Sequence, residues 1–271
     1  MTQFPRGARR LASLLGLLGL LGLLVLAACA TPPAEDAPIG ASPWALASQP
    51  ADKLSPTTWA HHRLPGKQAT EFRYARKDGR DTLAVRASSS ASMVRTNVRI
   101  EPKDLGQVRF SWKVPELMEL ADLAVRERDD GSVRLILAFE GDRSRFSARD
   151  AALSELARAL TGEEMPYATL MYVWCNRRPV GTVIPGIRTD RIRKLVVQSG
   201  PTDLNRWLDY ERDVRADFER AFGEKPGALV GIAVMTDSDN TRSKAQAWYG
   251  PVRFSASAGA TPLAAPPVAS P

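Results

Sequence analysis

The chain has 271 residues, with 37 Lys and Arg against 30 Asp and Glu, two His and two Cys. Its formal net charge of +7 is spread among acids with no Lys/Arg block, which excludes a basic nucleic-acid-binding arm. Two cysteines exclude a disulfide-dense scaffold, and with two adjacent histidines they leave a Cys/His metal site or a Ser-His-Asp triad poorly supplied.

The first element is a targeting segment. Arg6, Arg9 and Arg10 precede an uncharged run over residues 11–26 made of Leu, Gly and Ala with one Ser and one Val. This is the basic start and apolar middle of a signal peptide. Leu26-Ala27-Ala28-Cys29 closes it and resembles the lipobox of bacterial lipoproteins. That resemblance implies cleavage between Ala28 and Cys29 and acylation of Cys29 on its sulfur and its amine; two or more chains give stable anchoring. An uncleaved membrane span is the alternative, since the run lies at the lower limit of bilayer-spanning length. Ala30 stands where an Asp holds lipoproteins at the inner membrane, so the expected location is the periplasmic face of the outer membrane. Residues 1–28 carry three Arg and no acid, so processing leaves 34 basic against 30 acidic residues.

Residues 29–53 are rich in Ala and Pro and read as a flexible tether; residues 256–271 read as a disordered tail of the same composition. Residues 54–255 remain as one domain. Residues 72–75 and 82–87 flank a turn at 77–81 and form a hairpin pattern. Residues 107–114 alternate, with Val108, Phe110, Trp112 and Val114 on one face and Arg109, Ser111 and Lys113 on the other, as a half-buried strand does. Residues 133–139, 168–174, 192–198, 229–235 and 245–254 read as further strands, several of them apolar on both faces. Helical spacing falls on residues 147–160, through Ala152, Leu153, Leu156, Ala157 and Leu160. It falls again on residues 203–222, through Trp207, Val214, Phe218 and Phe222, with Glu211, Arg215 and Glu219 as a charge ladder and Gly223 as the cap. Many strands, two helices and no βαβ rhythm predict a mainly β fold: an antiparallel β-sandwich of jelly-roll type with two accessory helices.

The sharpest polar cluster is Thr236, Asp237, Ser238, Asp239, Asn240 and Thr241, between two strands. Asp237, Asp239 and Asn240 are the hard oxygen donors that bind ligands or ions, and Asp237 and Asp239 are candidate calcium ligands. The EF-hand pattern is incomplete, lacking its Gly and its final Glu. Asp237, Asp239 and Glu140 are candidate acid and base for glycoside hydrolysis, which needs paired carboxylates. Asp, Asn and Ser are also ordinary turn formers. Trp248 and Tyr249 follow the loop as candidates to stack on a sugar, whereas Trp112, Tyr172 and Trp174 belong to apolar faces and suit a core. Arg177 and Arg178, beside Pro179 and Gly181, form a loop able to meet a carboxylate. His61 and His62 point to opposite faces of a strand. Cys175, with no second thiol beside a lipidated Cys29, suits a buried small hydrophobe.

In order along the chain, Phe110-Ser111-Trp112-Lys113-Val114, Tyr172-Val173-Trp174, Pro179-Val180-Gly181-Thr182-Val183-Ile184-Pro185, Glu211-Arg212-Asp213-Val214, Thr236-Asp237-Ser238-Asp239-Asn240-Thr241 and Ala247-Trp248-Tyr249-Gly250 resemble the bacterial family called domain of unknown function 3047. The resemblance runs over residues 59–254 and implies an exported β-sandwich protein, without an activity. Family members carry an acid after the Tyr-Gly pair; here Pro251 stands there. The expectation is a lipid-anchored, non-catalytic binding module for a glycan or another envelope component, needing no cofactor beyond a candidate calcium ion and binding no nucleic acid. A polysaccharide hydrolase and an envelope-assembly scaffold are the alternatives.

Overall fold

The computed structural model of the chain describes residues 38–49 and 58–255. They belong to one compact unit, Glu35–Pro271; Met1–Ala34, Cys29 with the apolar run before it, and the tail at 256–271 lie outside the described residues. The strands are β1 (Ala60–Arg63), β2 (Glu71–Lys77), β3 (Arg80–Ser88), β4 (Ala91–Ile100), β5 (Gln107–Lys113), β6 (Gly131–Phe139), β7 (Ala168–Cys175), β8 (Val183–Pro185), β9 (Ile192–Ser199), β10 (Trp207–Asp213), β11 (Leu229–Asp237), β12 (Lys244–Tyr249) and β13 (Arg253–Ser255). The α-helices are α1 (Pro43–Ala47), α2 (Ala148–Thr161) and α3 (Val214–Phe222).

The strands form two sheets. One is seven-stranded in the order β1-β4-β11-β6-β7-β9-β8; the other runs β10-β5-β12-β3-β2, with β13 also on β5. This is the expected mainly β sandwich. Its inner faces come from the period-2 pattern: Val85, Phe110, Trp112, Leu137, Phe139, Tyr172 and Trp174 share one core. The Phe110 and Tyr172 rings stack across the two sheets at 5.4 Å between centroids. The β2–β3 hairpin turns on Asp78 and Gly79, both at positive φ (51° and 78°), the conformation that a two-residue hairpin requires.

Several elements differ from the sequence expectation. One strand pair, β7–β9, is parallel, because β8 lies beyond β9 and the β8–β9 hairpin folds β9 back beside β7. The helix expected over 203–222 forms only from Val214. Residues 207–213 are instead β10, paired antiparallel along β5, with Leu208 and Tyr210 packed on the core. The switch sits at Asp213, whose carboxylate caps the helix by accepting from the Ala216 N–H at 2.9 Å. Glu211 therefore pairs across strands with Arg109 (2.7 Å) and not along a helix with Arg215. Helix α2 forms as expected between its Ser147 and Gly162 caps, but its apolar stripe faces outward: Leu156 and Leu160 are exposed while Asp150 and Ser154 are buried. The strand expected over 245–254 breaks into β12 and β13 at Gly250-Pro251. A Cβ on Gly250 would meet Ser111 Oγ at 2.1 Å, and Pro251 has no N–H for a ladder.

Residues 38–49, assigned by composition to the tether, dock on the body. Trp44 is fully buried, its indole donates to the Gly250 carbonyl at 3.0 Å, and its ring lies 4.9 Å from that of Trp59. Ser48 Oγ accepts from the Val252 N–H at 3.1 Å. Ser42 caps α1 by accepting from the Ala45 N–H at 3.2 Å. Trp44→Ala in a chain of residues 35–271 is expected to lower the unfolding free energy by ~3–5 kcal/mol, the range for truncating a buried aromatic. A denaturant titration checks this; an unchanged midpoint would place Trp44 back in a tether.

Candidate functional site

The acidic loop connects β11 to β12, as expected, but its carboxylates face inward to protein donors. Asp237 ends β11 on the outer face of the seven-stranded sheet. Its Oδ1 accepts from Arg134 Nε (2.8 Å) and the Gly131 N–H (3.0 Å), and its Oδ2 from Arg134 Nη2 (3.0 Å). Arg134 Nη2 also donates to the Asp129 carbonyl (2.9 Å) and carboxylate (3.2 Å). Lys194 Nζ donates to both oxygens of Asp129 (2.6 and 2.5 Å) and to the Leu123 carbonyl (2.7 Å). Burial lifts the Asp237 carboxyl to about 6 against the pull of Arg134. Burial, with repulsion from Arg134, lowers Lys194 to about 8. Burial alone would lower Arg134, but Asp237 and Asp129 hold it above its ordinary value.

Carboxylate oxygens of Asp130, Asp237 and Asp239 lie within 4.8 Å of one another, a spacing a cation could bridge. The donor set does not fit calcium. Asp237 is held by a guanidinium, and Asp130 accepts from the Asn240 N–H (3.0 Å), the Thr241 N–H (2.7 Å) and Thr241 Oγ1 (2.5 Å). Asp239 pairs with Lys67, and the Asn240 amide donates to the Arg126 carbonyl at 2.8 Å. An ion there would have to displace Arg134 and Lys67.

Nor do Trp248 and Tyr249 form one surface with the loop. Tyr249 is buried between the sheets: its hydroxyl donates to the Met235 carbonyl (2.6 Å), lies 2.9 Å from Thr236 Oγ1 and accepts from the Arg134 N–H (3.2 Å). Strand alternation then puts Trp248 on the outer face of the other sheet, half-buried, with Lys77 Nζ 4.9 Å over its ring. Trp112, Tyr172, Trp174 and Cys175 are buried; Arg178 is tied to Asp122 at 2.5 Å. Glu140 lies apart from Asp237 and Asp239, in the wall of the cavity described next, paired with Arg99 at 3.0 Å.

The structure brings together a cavity that sequence reasoning missed. It occupies about 610 Å³ over the outer face of the seven-stranded sheet. Its floor follows the strand register. Met93, Met235 and His62 lie in one row; Arg95, Ala233, Ile136 and Met171 in the next; Asn97, Gly231, Ala138 and Thr169 in a third. Apart from His62, Asn97 and Arg95, which pairs with Glu163 of the wall, the floor side chains are apolar or small. The walls are charged: Arg95 with Glu163 (2.6 Å from Nη1 to Oε2), Arg143 with Glu164 (3.2 Å), and Arg99 with Glu140. Two wall segments meet where a Cβ on Gly141 would strike the Tyr167 ring at 2.1 Å, so only glycine lets the wall close. The hydrogen bond from Arg95 holds Glu163 below the usual carboxylate range. Burial, with Arg95 nearby, lowers His62 and keeps its ring neutral near pH 7, able both to donate and to accept.

A second chamber of about 270 Å³ continues the cavity, sharing Met171, Ile192 and Met235 with it. The Arg134–Asp237–Asp129–Lys194 network forms its floor. Arg126 and Arg188 line its rim; both are exposed, and neither has a carboxylate partner among the described residues. The available signal was the apolar character of β6, β7 and β11 on both faces, read as mere centrality, and the alternation of Met93, Arg95 and Asn97 in the unassigned β4.

A family model described as protein of unknown function (DUF3047) matches residues 57–253. No curated protein matches the chain. Similar solved structures include the xyloglucanase domain of a type three effector from Sinorhizobium fredii, in complex with cellobiose. It shares 9% identity, over 74% of this chain and 93% of that one, at a TM-score of 0.39. A carbohydrate-binding module that recognises mannan shares 13% identity, over 72% and 86%, at 0.26. Winged bean acidic lectin with methyl-α-D-galactose shares 9%, over 72% and 99%, at 0.32.

Breaking the clamp on one side is expected to cost more than removing it. Arg134→Met leaves Asp237 buried and unpaired and costs ~3–5 kcal/mol, whereas Arg134→Met with Asp237→Leu costs less. Carboxyl ¹³C NMR is expected to place the Asp237 midpoint near 6. Because this folded value exceeds the unfolded one of about 4, the group's stabilisation is full below about pH 4 and is lost as pH rises through about 6. A midpoint below 4 would contradict the burial argument.

Proposed function

The chain belongs to the DUF3047 family. We propose that it is a lipid-anchored, non-catalytic binding module of the bacterial envelope. It holds an elongated glycan along the outer face of the seven-stranded sheet. The observation that carries this reading is the two-chamber groove: a well-formed cavity with apolar floor positions and convergent polar groups is the default ligand site. Met and Ala floor positions offer flat apolar surface to the C–H faces of sugar rings. Neutral His62, Asn97 and Thr169 offer donors and acceptors to hydroxyls. The unpaired Arg126 and Arg188 at the far end suit a carboxylate or sulfate substituent, which favours an acidic glycan.

Among the described residues, the carboxylates lining the groove are paired with cations or held by protein donors, which supports binding over hydrolysis. A glycosidase needs one carboxyl held protonated opposite a second. Glu140, Glu163 and Glu164 are each paired with arginine. Asp237, the carboxyl raised to about 6, has both oxygens on Arg134. The location follows from the Arg6–Cys29 segment: acylation at Cys29 would tether the module to the outer membrane, and Ala30 favours that membrane over the inner one.

A glycan-array screen of residues 35–271 tests the reading. Gly231 has open floor above it, its nearest prospective neighbour being Ala138 Cβ at 3.4 Å, so Gly231→Phe fills the groove without a backbone clash. Binding is expected in the parent chain and at least about tenfold weaker in Gly231→Phe, roughly 1.4 kcal/mol. Arg126→Ala with Arg188→Ala is expected to weaken acidic glycans more than neutral ones. Silence across the array, or binding indifferent to Gly231→Phe, would overturn the proposal.

A further inference from the structure

The outer face of the other sheet is electrostatically divided. On the half formed by β5, β10 and the β2–β3 turn, cations have carboxylate partners: Arg80 with Asp209 (2.6 Å), Arg109 with Glu211 (2.7 Å), and Lys113 with Asp78 (2.7 Å). The half formed by β2, β3 and β12, together with the β1 edge, is different. There Arg63, Arg76, Lys77 and Arg86 surround Trp248 in one hollow of about 570 Å³, and Glu71 is the single carboxylate lining it among the described residues. Arg63 and Arg86 have no carboxylate partner among the described residues. Arg76 donates only to the Gly79 carbonyl (3.2 Å), and Lys77 meets Asp78 no closer than 3.9 Å. The four cations converging on this half-buried indole lie away from the core, which is on the other side of these strands.

We infer that this patch docks on the surface of an anionic phospholipid bilayer. Charge complementarity selects the partner: basic side chains near an anionic leaflet are attracted to it, and an indole is favoured at headgroup level. The course of the chain selects a membrane over a soluble acidic polymer. The 3-10 turn Ile39–Ala41 packs beside β1 and β2, so the chain enters the fold at the edge of this patch. Cys29 lies nine residues before Pro38, a reach of at most about 30 Å. An acylated Cys29 and the patch would therefore engage the same leaflet, a point that rests on the proposed acylation; the charge argument stands without it. The groove opens on the opposite sheet, so docking on this face turns the groove away from the bilayer.

The test uses residues 35–271, which lack Cys29, so its outcome bears on the patch and not on acylation. Co-sedimentation is measured with vesicles of phosphatidylcholine alone and of phosphatidylcholine mixed with phosphatidylglycerol. Binding is expected only with phosphatidylglycerol, falling as salt is raised. Arg63→Glu with Arg86→Glu is expected to weaken it roughly tenfold or more. Both side chains are exposed, and an unchanged melting temperature confirms that the variant folds; Arg63→Gln with Arg86→Gln is expected to give a smaller loss in the same direction. Gly231→Phe in the groove is expected to leave vesicle binding intact, which separates this inference from the glycan proposal. Equal binding to both vesicle types, no binding to either, or binding to heparin without binding to anionic vesicles would each overturn it.

Discussion

Arg134 stands near the middle of β6 with 4% of its side chain exposed, paired between Met235 of β11 and Val173 of β7. A guanidinium there is tolerable only if its N–H groups are satisfied, since an unpaired buried charge costs several kcal/mol. Its Nε and Nη2 find four acceptors on Asp237 and Asp129. Those acceptors come from different parts of the chain: the end of β11 and the loop before β6. Through Asp129 the network reaches Lys194 of β9. Gly131 belongs to the same constraint, because a Cβ there would come within 2.8 Å of Arg134 Nε. One buried cation thus determines where β11 ends, how the acidic loop turns and what closes one end of the groove.

The groove takes its character from that closure. Beyond the network, Leu123, Val173, Cys175, Ile184 and Val196 pack as a small second core, so the preceding loop covers that part of the outer face. The face is open only from the network toward Asn97 and Thr169. An apolar floor bounded by charge at one end is selective in a way that a uniformly apolar cleft is not. On the proposed reading, a ligand would present both a dehydrated face and a polar or anionic end, because the wall arginines are already neutralised by glutamates and Arg126 and Arg188 at the far rim have no carboxylate partner among the described residues. The same distribution weakens a hydrolytic reading, since a carboxylate held by arginine is a poor proton donor at neutral pH.

Much of the fold was legible from local alternation. Phe110 and Trp112 against Arg109 and Ser111 gave β5 its face, and the Asp78-Gly79 turn marked a hairpin with strands matched on either side. What failed to show were features decided by distant partners. Trp207, Leu208 and Tyr210 suit a helical stripe nearly as well as a strand, and only pairing with β5 selects the strand; Asp213 then starts the helix where that pairing ends. Trp44 is the largest apolar side chain in residues 38–49, but its acceptor, the Gly250 carbonyl, is 206 residues away. The candidate site failed for the same reason. The spacing of Asp237, Asp239 and Asn240 is that of a ligand loop, yet Arg134 lies 103 residues earlier and converts Asp237 into a structural anchor. Alternation separates Tyr249 from Trp248, so reading them as a pair ignored the period that had identified the strand.

On the proposed reading, the two outer faces would divide the work of a tethered binder. If residues 38–49 were a free coil, the body would tumble on its anchor and neither face would have a fixed relation to the surface. They are not: Trp44 and Ser48 fasten them beside β13, and Ile39–Ala41 lies against the β1–β2 edge, so the chain leaves the body from a defined point. That point adjoins the patch on which Arg63 and Arg86 have no carboxylate partner among the described residues. On the proposed acylation and docking, an anchor ahead of that point would constrain distance but not orientation; Arg63 and Arg86 would supply the orientation, because rotation that buries the groove against an anionic surface also withdraws them from it. Orientation would then depend on ionic strength and lipid charge, and occupancy of the groove on shape and apolar contact. Two demands met by different forces on opposite sheets can be tuned separately, which a single shared face would not allow.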